Sequence, residues 1–178
     1  MGHMTLLGAG KPTSSAAPTA IFTSVGLGHS DSGFGGGSVR NKITISSGSL
    51  GRVRATFKAG TGANLVIAHA AIGIFSSGTT VTTATPLELL FSGVSGCTIP
   101  TSTTLTSDYV TLAFTGSDKL VVIIDITSGS IADNRTNETN SILMFQIPGA
   151  TYNQTGEAGM TGPTANWNYG VVSIETSV

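Results

Sequence analysis

The chain has 178 residues, of which 39% are hydrophobic and only 10% charged, and its formal net charge is −1. This length suits one domain with its own core, and the near-neutral charge gives no electrostatic reason to expect a nucleic-acid partner or an anionic membrane surface. The single cysteine, Cys97, excludes an internal disulfide, and no Cys/His cluster has zinc-site spacing.

Hydroxyl groups carry most of the polarity, since the chain has 27 Thr and 21 Ser beside 24 Gly. Thr favours strands, whereas Ser and Gly favour turns, and the mixture of Glu, Lys and Ala typical of helix surfaces is missing. No helical period is visible. The composition therefore predicts an all-β protein.

Residues 1–20 are predicted to lie outside the folded domain. Met1-Gly2-His3 resembles a cloning remnant, no secretory signal follows it, and the stretch up to Ala20 has the composition of an extended arm. We expect one β-sandwich domain over residues 21–178. Within it, residues 26–38 contain six glycines and are predicted to form a loop.

Short alternating or apolar runs, separated by turn residues, predict eight or nine strands. Their approximate ranges are 21–25, 39–45, 52–58, 65–75, 87–91, 108–115, 120–127, 142–147 and 167–176. This spacing indicates a single antiparallel two-sheet sandwich of jelly-roll type. The longest apolar run, 65–75, is shorter than the roughly twenty residues that cross a membrane, so no membrane span is expected.

The run Leu120–Thr127 is apolar on both faces and is predicted to be an inner strand, lying between the 109–114 strand and one of the late strands. Its one carboxylate, Asp125, needs a partner in such a position. Six of the eight basic residues precede residue 60, whereas eight of the nine acids follow it. The early basic residues are therefore candidates for that partner.

Strands 39–45 and 52–58 alternate, with Asn41 as the exception on the apolar side of the first, and are predicted to form a hairpin. The hairpin would place the basic side chains on one solvent face: Arg40, Lys42, Arg52, Arg54 and Lys58. Like charges across strands are unfavourable, so this face needs compensation. Later acids such as Glu88, Asp108 and Asp118 could supply it, as could an anionic sugar or a partner subunit.

Three motifs suggest chemistry only at first sight. His29-Ser30-Asp31 holds the residue types of a hydrolase triad, but consecutive residues in a glycine loop seldom converge as a triad must, so a loop is favoured. His69 is predicted to be a core histidine without a role. Residues 131–140 are predicted to be an exposed loop, with calcium binding as the lesser alternative, because Asp133, Asn134, Asn137 and Glu138 offer oxygen ligands. No cofactor or metal is expected.

Aromatic and amide side chains cluster near the end of the chain, a combination that commonly holds sugars. The alternative is that these aromatics close the bottom of the core. In the sugar-binding interpretation, arginines from the 52–58 strand would hold acidic sugars. The candidate glycan contacts are Tyr152, Trp167, Asn168, Tyr169, Arg52 and Arg54.

The order of motifs resembles a β-sandwich module of phage and prophage proteins, which occurs alone or attached to hydrolases of the Gly-Asp-Ser type. The resemblance rests on runs such as Arg52-Val53-Arg54-Ala55-Thr56-Phe57-Lys58-Ala59-Gly60, Pro86-Leu87-Glu88-Leu89-Leu90-Phe91 and Lys119-Leu120-Val121-Val122-Ile123-Ile124-Asp125. It covers roughly residues 39–127. These are core and turn residues, so it bears on fold more than on activity.

The resemblance implies a non-enzymatic virion structural or adsorption protein, such as a tail, fibre or capsid-surface component. Its expected partners are copies of itself or other virion proteins, together with a cell-surface glycan, and its expected location is the virion or an extracellular surface. The alternative is a lectin-like carbohydrate-binding module. A hydrolase is a third hypothesis, which would require Ser30→Ala to abolish a measured activity; no residue of the partner hydrolase domain is recognisable in this sequence.

Overall fold

The computed structural model describes residues 17–32, 36–47, 50–76, 84–134, 141–148 and 166–177. These ranges contain fourteen strands and no helix, which confirms the predicted all-β antiparallel fold. The longer strands are β1 (Thr19–Thr23), β3 (Gly37–Thr44), β4 (Leu50–Lys58), β5 (Leu65–Ile74), β9 (Val110–Ala113), β10 (Lys119–Ser128), β11 (Ile131–Asn134), β12 (Ser141–Pro148) and β14 (Val171–Ser177). The short strands are β2 (His29–Asp31), β6 (Leu87–Glu88), β7 (Cys97–Ile99), β8 (Thr104–Thr106) and β13 (Asn168–Tyr169).

Two large antiparallel sheets make up most of this structure. The first, which we call the β10 sheet, has the order β12-β3-β10-β5-β6, with β7 also paired to β5. The second, the β4 sheet, has the order β1-β14-β4-β8, with β9 also paired to β4. A small third sheet has the order β13-β11-β2. Among the described residues no helix has the length and hydrophobicity that crossing a membrane requires.

The core lies between the two large sheets and follows the strand period of two. On β4, Val53, Ala55 and Phe57 are fully buried, while the residues between them are not. Phe57 meets Phe91 edge to face, with 5.8 Å between ring centroids. Each large apolar side chain buried in this way contributes roughly 1.5–3 kcal/mol relative to exposure. The alternating pattern therefore sets which face of each strand the core covers.

Strand β10 is an inner strand that is buried on both faces, as its sequence predicts. Leu120, Val122 and Ile124 belong to the core cluster, and the residues that alternate with them, Val121 and Ile123, are also fully buried. Its neighbours are β3 and β5. The predicted neighbours, the 109–114 strand and a late strand, are wrong, because a doubly buried strand carries no side-chain pattern that specifies its partners.

The predicted hairpin of 39–45 with 52–58 is also wrong. Strand β3 pairs with β10 and β12, whereas β4 pairs with β14, β8 and β9, so the chain changes sheets between them. The basic residues of the two strands therefore lie on different sheets and do not share one solvent face. Arg40 is fully buried, while Arg52 is exposed.

Four strands of three or four residues fall outside the ranges that the sequence predicts as strands: β2, β7, β8 and β11. Strand β11 is the clearest correction, because all four of its residues are buried, although its sequence, Ile-Ala-Asp-Asn, is partly polar. It lies between β2 and β13, which satisfy its backbone on both sides. The turn before it requires Gly129, whose φ is +103° and where a Cβ would overlap the carbonyl oxygen of Asn64.

The side-chain amide of Asn41 joins the small sheet to the β10 sheet. Asn41 of β3 donates from Nδ2 to the carbonyl oxygen of Tyr169 at 2.8 Å and accepts from the Tyr169 N–H through Oδ1 at 2.9 Å. Both residues are buried. The amide of Asn41 thus pairs with the main chain of β13 as a neighbouring strand would.

Candidate functional site

The outer face of the β4 sheet carries a basic stripe set among hydroxyl groups. Arg52 is exposed, and Arg54, Thr56 and Lys58 are half-buried, because they alternate with the core residues of β4. The hydroxyl oxygens of Thr56 and Thr106, paired across β4 and β8, are 2.9 Å apart. This face is therefore accessible and rich in hydrogen-bonding groups.

Two arginines of this stripe contact the same aromatic ring, and we call the group the Arg52–Tyr109–Arg54 cluster. The guanidinium carbons of Arg52 and Arg54 lie 5.1 Å and 4.7 Å from the centroid of the Tyr109 ring. Each cation–π contact contributes roughly 0.5–1 kcal/mol at an exposed site. The shared ring holds two cations close together, which is the arrangement that an anionic group would bind.

The loop between β8 and β9 positions Tyr109. The Ser107 hydroxyl accepts a hydrogen bond from the Ala55 N–H at 3.1 Å and donates to the carbonyl oxygen of Asp108 at 3.0 Å. The Asp108 N–H donates to Leu90 at 2.7 Å, and the Asp108 carboxylate accepts from the Gly93 N–H at 2.6 Å. The segment before Tyr109 is therefore fixed at both its backbone and its side chains.

The arginines of the cluster differ in their counter-charges. Arg54 donates from Nε and Nη2 to Oε2 of Glu175 at 3.0 Å and 2.7 Å, and the two side chains are 31% and 26% exposed. Arg52 has no carboxylate within ion-pair distance in the described part of the chain. Arg52 is therefore the cation that remains available to a ligand, and a guanidinium can bind a carboxylate or sulfate through two parallel hydrogen bonds.

The compensating acids predicted for the basic face are wrong. Glu175, the cross-strand neighbour of Arg54, takes that role. Asp108 is bonded to Gly93, and Asp118 accepts from the N–H and hydroxyl of Thr115 at 2.7 Å and 3.0 Å. Asp118 follows the turn at residues 116–117, and Asp108 faces the turn that contains Gly93, so each carboxylate satisfies a backbone N–H group instead of a basic side chain.

A second polar group crosses the outer face of the β10 sheet. Ser38, Asp125 and His69 are opposite one another on β3, β10 and β5, and His69 Nδ1 is 2.8 Å from Oε1 of Glu88. Arg40 lies on the same face, diagonal to Asp125. Ser38 and Arg40 are fully buried, and Asp125 is only 8% exposed.

This arrangement overturns the prediction of a core histidine without a role. The His69 side chain is 38% exposed and has a carboxylate partner, since the pairing of Ala71 with Glu88 brings β6 beside β5. Sequence reasoning missed Ser38 and the pairing of Glu88 with His69, because only the sheet register brings these residues together. The one sequence signal was Asp125, a carboxylate inside an apolar run; register places Arg40, one of its predicted partners, beside it.

The C-terminal aromatics are mostly interior. Tyr169 is 2% exposed and Asn168 is fully buried, with its Nδ2 donating to Val171 O at 2.7 Å. Trp167 is half-buried and packs against the core, 6.3 Å from the Tyr169 ring. Burial of Asn168 and Tyr169 favours the alternative in which these residues close the core. Tyr152 lies outside the described residues.

The five predicted glycan contacts that the structure describes therefore do not form one site. Arg52 and Arg54 are together on the outer face of the β4 sheet, with Tyr109 as a partner that sequence reasoning missed. Asn168 and Tyr169 belong to the small sheet and are enclosed. The sequence places Tyr109 at the start of a predicted strand, 108–115. Its contact with the arginines of β4 could not be predicted, because it depends on the pairing of β9 with β4.

The three residues of His29-Ser30-Asp31 form β2 instead of a loop, and they do not converge. The Ser30 hydroxyl is bonded to the Ser130 hydroxyl and accepts from the Thr61 N–H at 3.0 Å. Strand alternation directs His29 and Asp31 to the side opposite Ser30. The Ser30 hydroxyl thus fastens β2 to the turn after β4, next to Gly60, where a Cβ would overlap it.

No group of three or more His, Cys, Asp or Glu side chains suited to a metal ion occurs in the ranges that the structure describes. Of the four oxygen donors considered for calcium, Asp133 and Asn134 are buried in β11. Asn137 and Glu138 lie outside the described residues.

Comparison with known proteins adds no relative: no protein-family model matches the chain, and no curated protein matches it.

Proposed function

We propose that this protein is a non-enzymatic virion structural or adsorption protein of the phage type, a tail, fibre or capsid-surface component. It acts at the surface of the virion by assembling with copies of itself or other virion proteins and by contacting a host surface. The observation that carries the proposal is the outer face of the β4 sheet, an accessible, hydroxyl-rich surface with an arginine that lacks a carboxylate partner among the described residues.

The resemblance to phage β-sandwich modules supports the same proposal. The runs that carry it coincide with β4, β6 and β10, which belong to both large sheets. The environment of Ser30, the candidate nucleophile, favours a binding protein over an enzyme. Its hydroxyl is bonded to the Ser130 hydroxyl and to the Thr61 N–H, and so joins β2 to the turn after β4. A hydroxyl-rich face of low charge suits repeated contacts with other proteins and with sugars.

Light scattering coupled to gel filtration tests the assembly half of the proposal. The expected result is a symmetric oligomer whose mass stays constant over a hundredfold dilution. A strict monomer at high concentration, together with absence of the protein from purified particles, would contradict the proposal.

A carbohydrate-binding module is the second candidate, and the Arg52–Tyr109–Arg54 cluster favours it. The ligand would be a sugar bearing a carboxylate or sulfate, held by the guanidinium of Arg52 and by hydroxyl groups such as that of Thr111, its neighbour on β9. This version moves the predicted binding site away from the C-terminal aromatics.

A glycan array with neutral, carboxylated and sulfated sugars tests the second candidate. Binding restricted to the acidic sugars is expected, and Arg52→Ala should weaken it by at least about fivefold, which corresponds to about 1 kcal/mol. Trp167→Ala is the matched variant that tests whether the sugar binds instead at the C-terminal aromatics. A blank array would refute both versions, and loss of binding with Trp167→Ala alone would return the site to the C-terminal aromatics.

A further inference from the structure

Two lysines lie close together at one end of the outer face of the β10 sheet. Lys119 begins β10 and is opposite Thr44, while Lys42, two residues earlier on β3, is opposite Val121. The two lysines are therefore diagonal neighbours on one face, a separation of roughly 7–8 Å between Cα atoms. Lys119 is exposed and Lys42 is half-buried.

An aromatic ring completes this group. The Lys42 ammonium lies 4.6 Å from the centroid of the Phe75 ring, although Lys42 is on β3 and Phe75 follows β5. The Lys42 side chain thus reaches across β10, where Val121 is opposite Gly73, a residue without a side chain. The Phe75 N–H donates to the carbonyl oxygen of Lys119 at 2.8 Å, which places the main chain of Phe75 next to that of Lys119.

Neither ammonium has a counter-charge among the described residues. Glu175 is paired with Arg54, and Glu88 is paired with His69. The acid next in sequence, Asp118, accepts two hydrogen bonds from Thr115. Burial lowers the pKa of Lys42, and the nearby Lys119 ammonium lowers it further. The two cations therefore repel each other in a place where both retain hydrogen-bond donors.

We propose that Lys42, Lys119 and Phe75 form a binding site for an oxyanion group, a carboxylate, sulfate or phosphate. The oxyanion lies between the two ammonium groups and accepts hydrogen bonds from both, while the Phe75 ring packs against the apolar part of a larger ligand. Binding removes the repulsion between the lysines, which like charges across neighbouring strands otherwise impose on the sheet. This site is on the β10 sheet and is independent of the Arg52–Tyr109–Arg54 cluster.

Amide NMR titrations with sodium sulfate, phosphate and acetate test the site, each against sodium chloride at equal ionic strength. At least one oxyanion is expected to shift the amide signals of Lys42, Phe75 and Lys119 along a saturating curve. Lys42→Gln and Lys119→Gln should each weaken this binding at least about fivefold, the factor that about 1 kcal/mol represents. The order of the three anions shows whether the site prefers a planar or a tetrahedral group.

Lys58→Gln is the matched control, because Lys58 lies on the β4 sheet and contacts the Leu27 carbonyl oxygen at 3.4 Å. It should bind as the wild type does. The dispersion of the amide signals reports whether each variant is folded. If Lys42→Gln does not fold, Lys119→Gln is sufficient to test the site, because it alters an exposed side chain. The proposal is overturned by shifts that do not saturate, by equal shifts with chloride, or by unchanged affinity in folded Lys119→Gln.

Discussion

The outer faces of the two large sheets place the same kind of residue in opposite environments. On the β10 sheet, Arg40 and Ile123 are fully buried although they point away from the core. On the β4 sheet, the corresponding face leaves Arg52 exposed and Arg54 partly exposed, paired with Glu175. A basic residue that alternates with apolar ones can therefore be interior, as Arg40 is, or accessible to a partner, as Arg52 is.

The largest expected effect is the difference in the free energy of unfolding between the variants Arg40→Met and Arg52→Met. Arg40→Met should lower the free energy of unfolding by about 3 kcal/mol or more, because a charge is lost from an enclosed polar group that includes Asp125. Arg52→Met, at the exposed position, should cost no more than about 1 kcal/mol, the contribution of its contact with Tyr109. Urea unfolding measures both. Equal destabilisation of the two variants would show that the faces do not differ as described.

Asn41→Leu should cost about 2–4 kcal/mol, since it removes both hydrogen bonds to the Tyr169 main chain and leaves a buried N–H and C=O without their partner. The same unfolding experiment measures it, with Asn166→Leu at an exposed position as the control. If Asn41→Leu and the control had the same free energy of unfolding, the hydrogen bonds of the Asn41 amide would not contribute to joining the small sheet to the β10 sheet.

The thiol of Cys97, on β7 of the β10 sheet, is a titratable group whose burial can be measured in the same way. Burial raises the pKa of its thiol to about 11 from 9.0. The folded chain should therefore have about 100-fold less thiolate at pH 8 than the unfolded chain and react correspondingly more slowly with iodoacetamide. Equal rates with and without denaturant would contradict this.

The same shift has a defined sign for stability. Since the thiol loses its proton more easily in the unfolded chain, stability should fall as the pH rises from about 9 towards 11. Cys97→Ala should lack that part of the pH dependence. A wild-type slope identical to that of the variant over this interval would rule out the raised pKa.

The smallest expected effect concerns the ion pair on the accessible face. Arg54→Gln and Glu175→Gln should each destabilise by about 0.2–1 kcal/mol, because both side chains are partly exposed and screened by solvent and salt. A double-variant cycle in low and high salt measures the coupling. A coupling above about 3 kcal/mol that resists salt would place this pair in an interior-like environment and would weaken the contrast between the two faces.

The sequence by itself determined the strand period, the all-β class and the identity of the inner strand. Alternation in 52–58 was enough to assign Val53, Ala55 and Phe57 to the core, because a strand buried on one face must alternate. The unbroken run in 120–127 was enough to predict burial on both faces. Arg52 and Arg54 could be predicted as outward residues for the same reason, although their shared contact with Tyr109 could not.

Tertiary structure decided which strands are neighbours, and with them both candidate sites. The period of two says which way a side chain points but not which strand lies beside it, so β3 and β4 were predicted to pair although they belong to different sheets. The His69–Glu88 pair, the Lys42–Phe75 contact and the burial of Arg40 all depend on register between strands distant in sequence. The hydrophobic pattern fixes which face each strand buries, but every strand's backbone groups can pair with those of any other strand, so the pattern does not specify which distant strand becomes the neighbour.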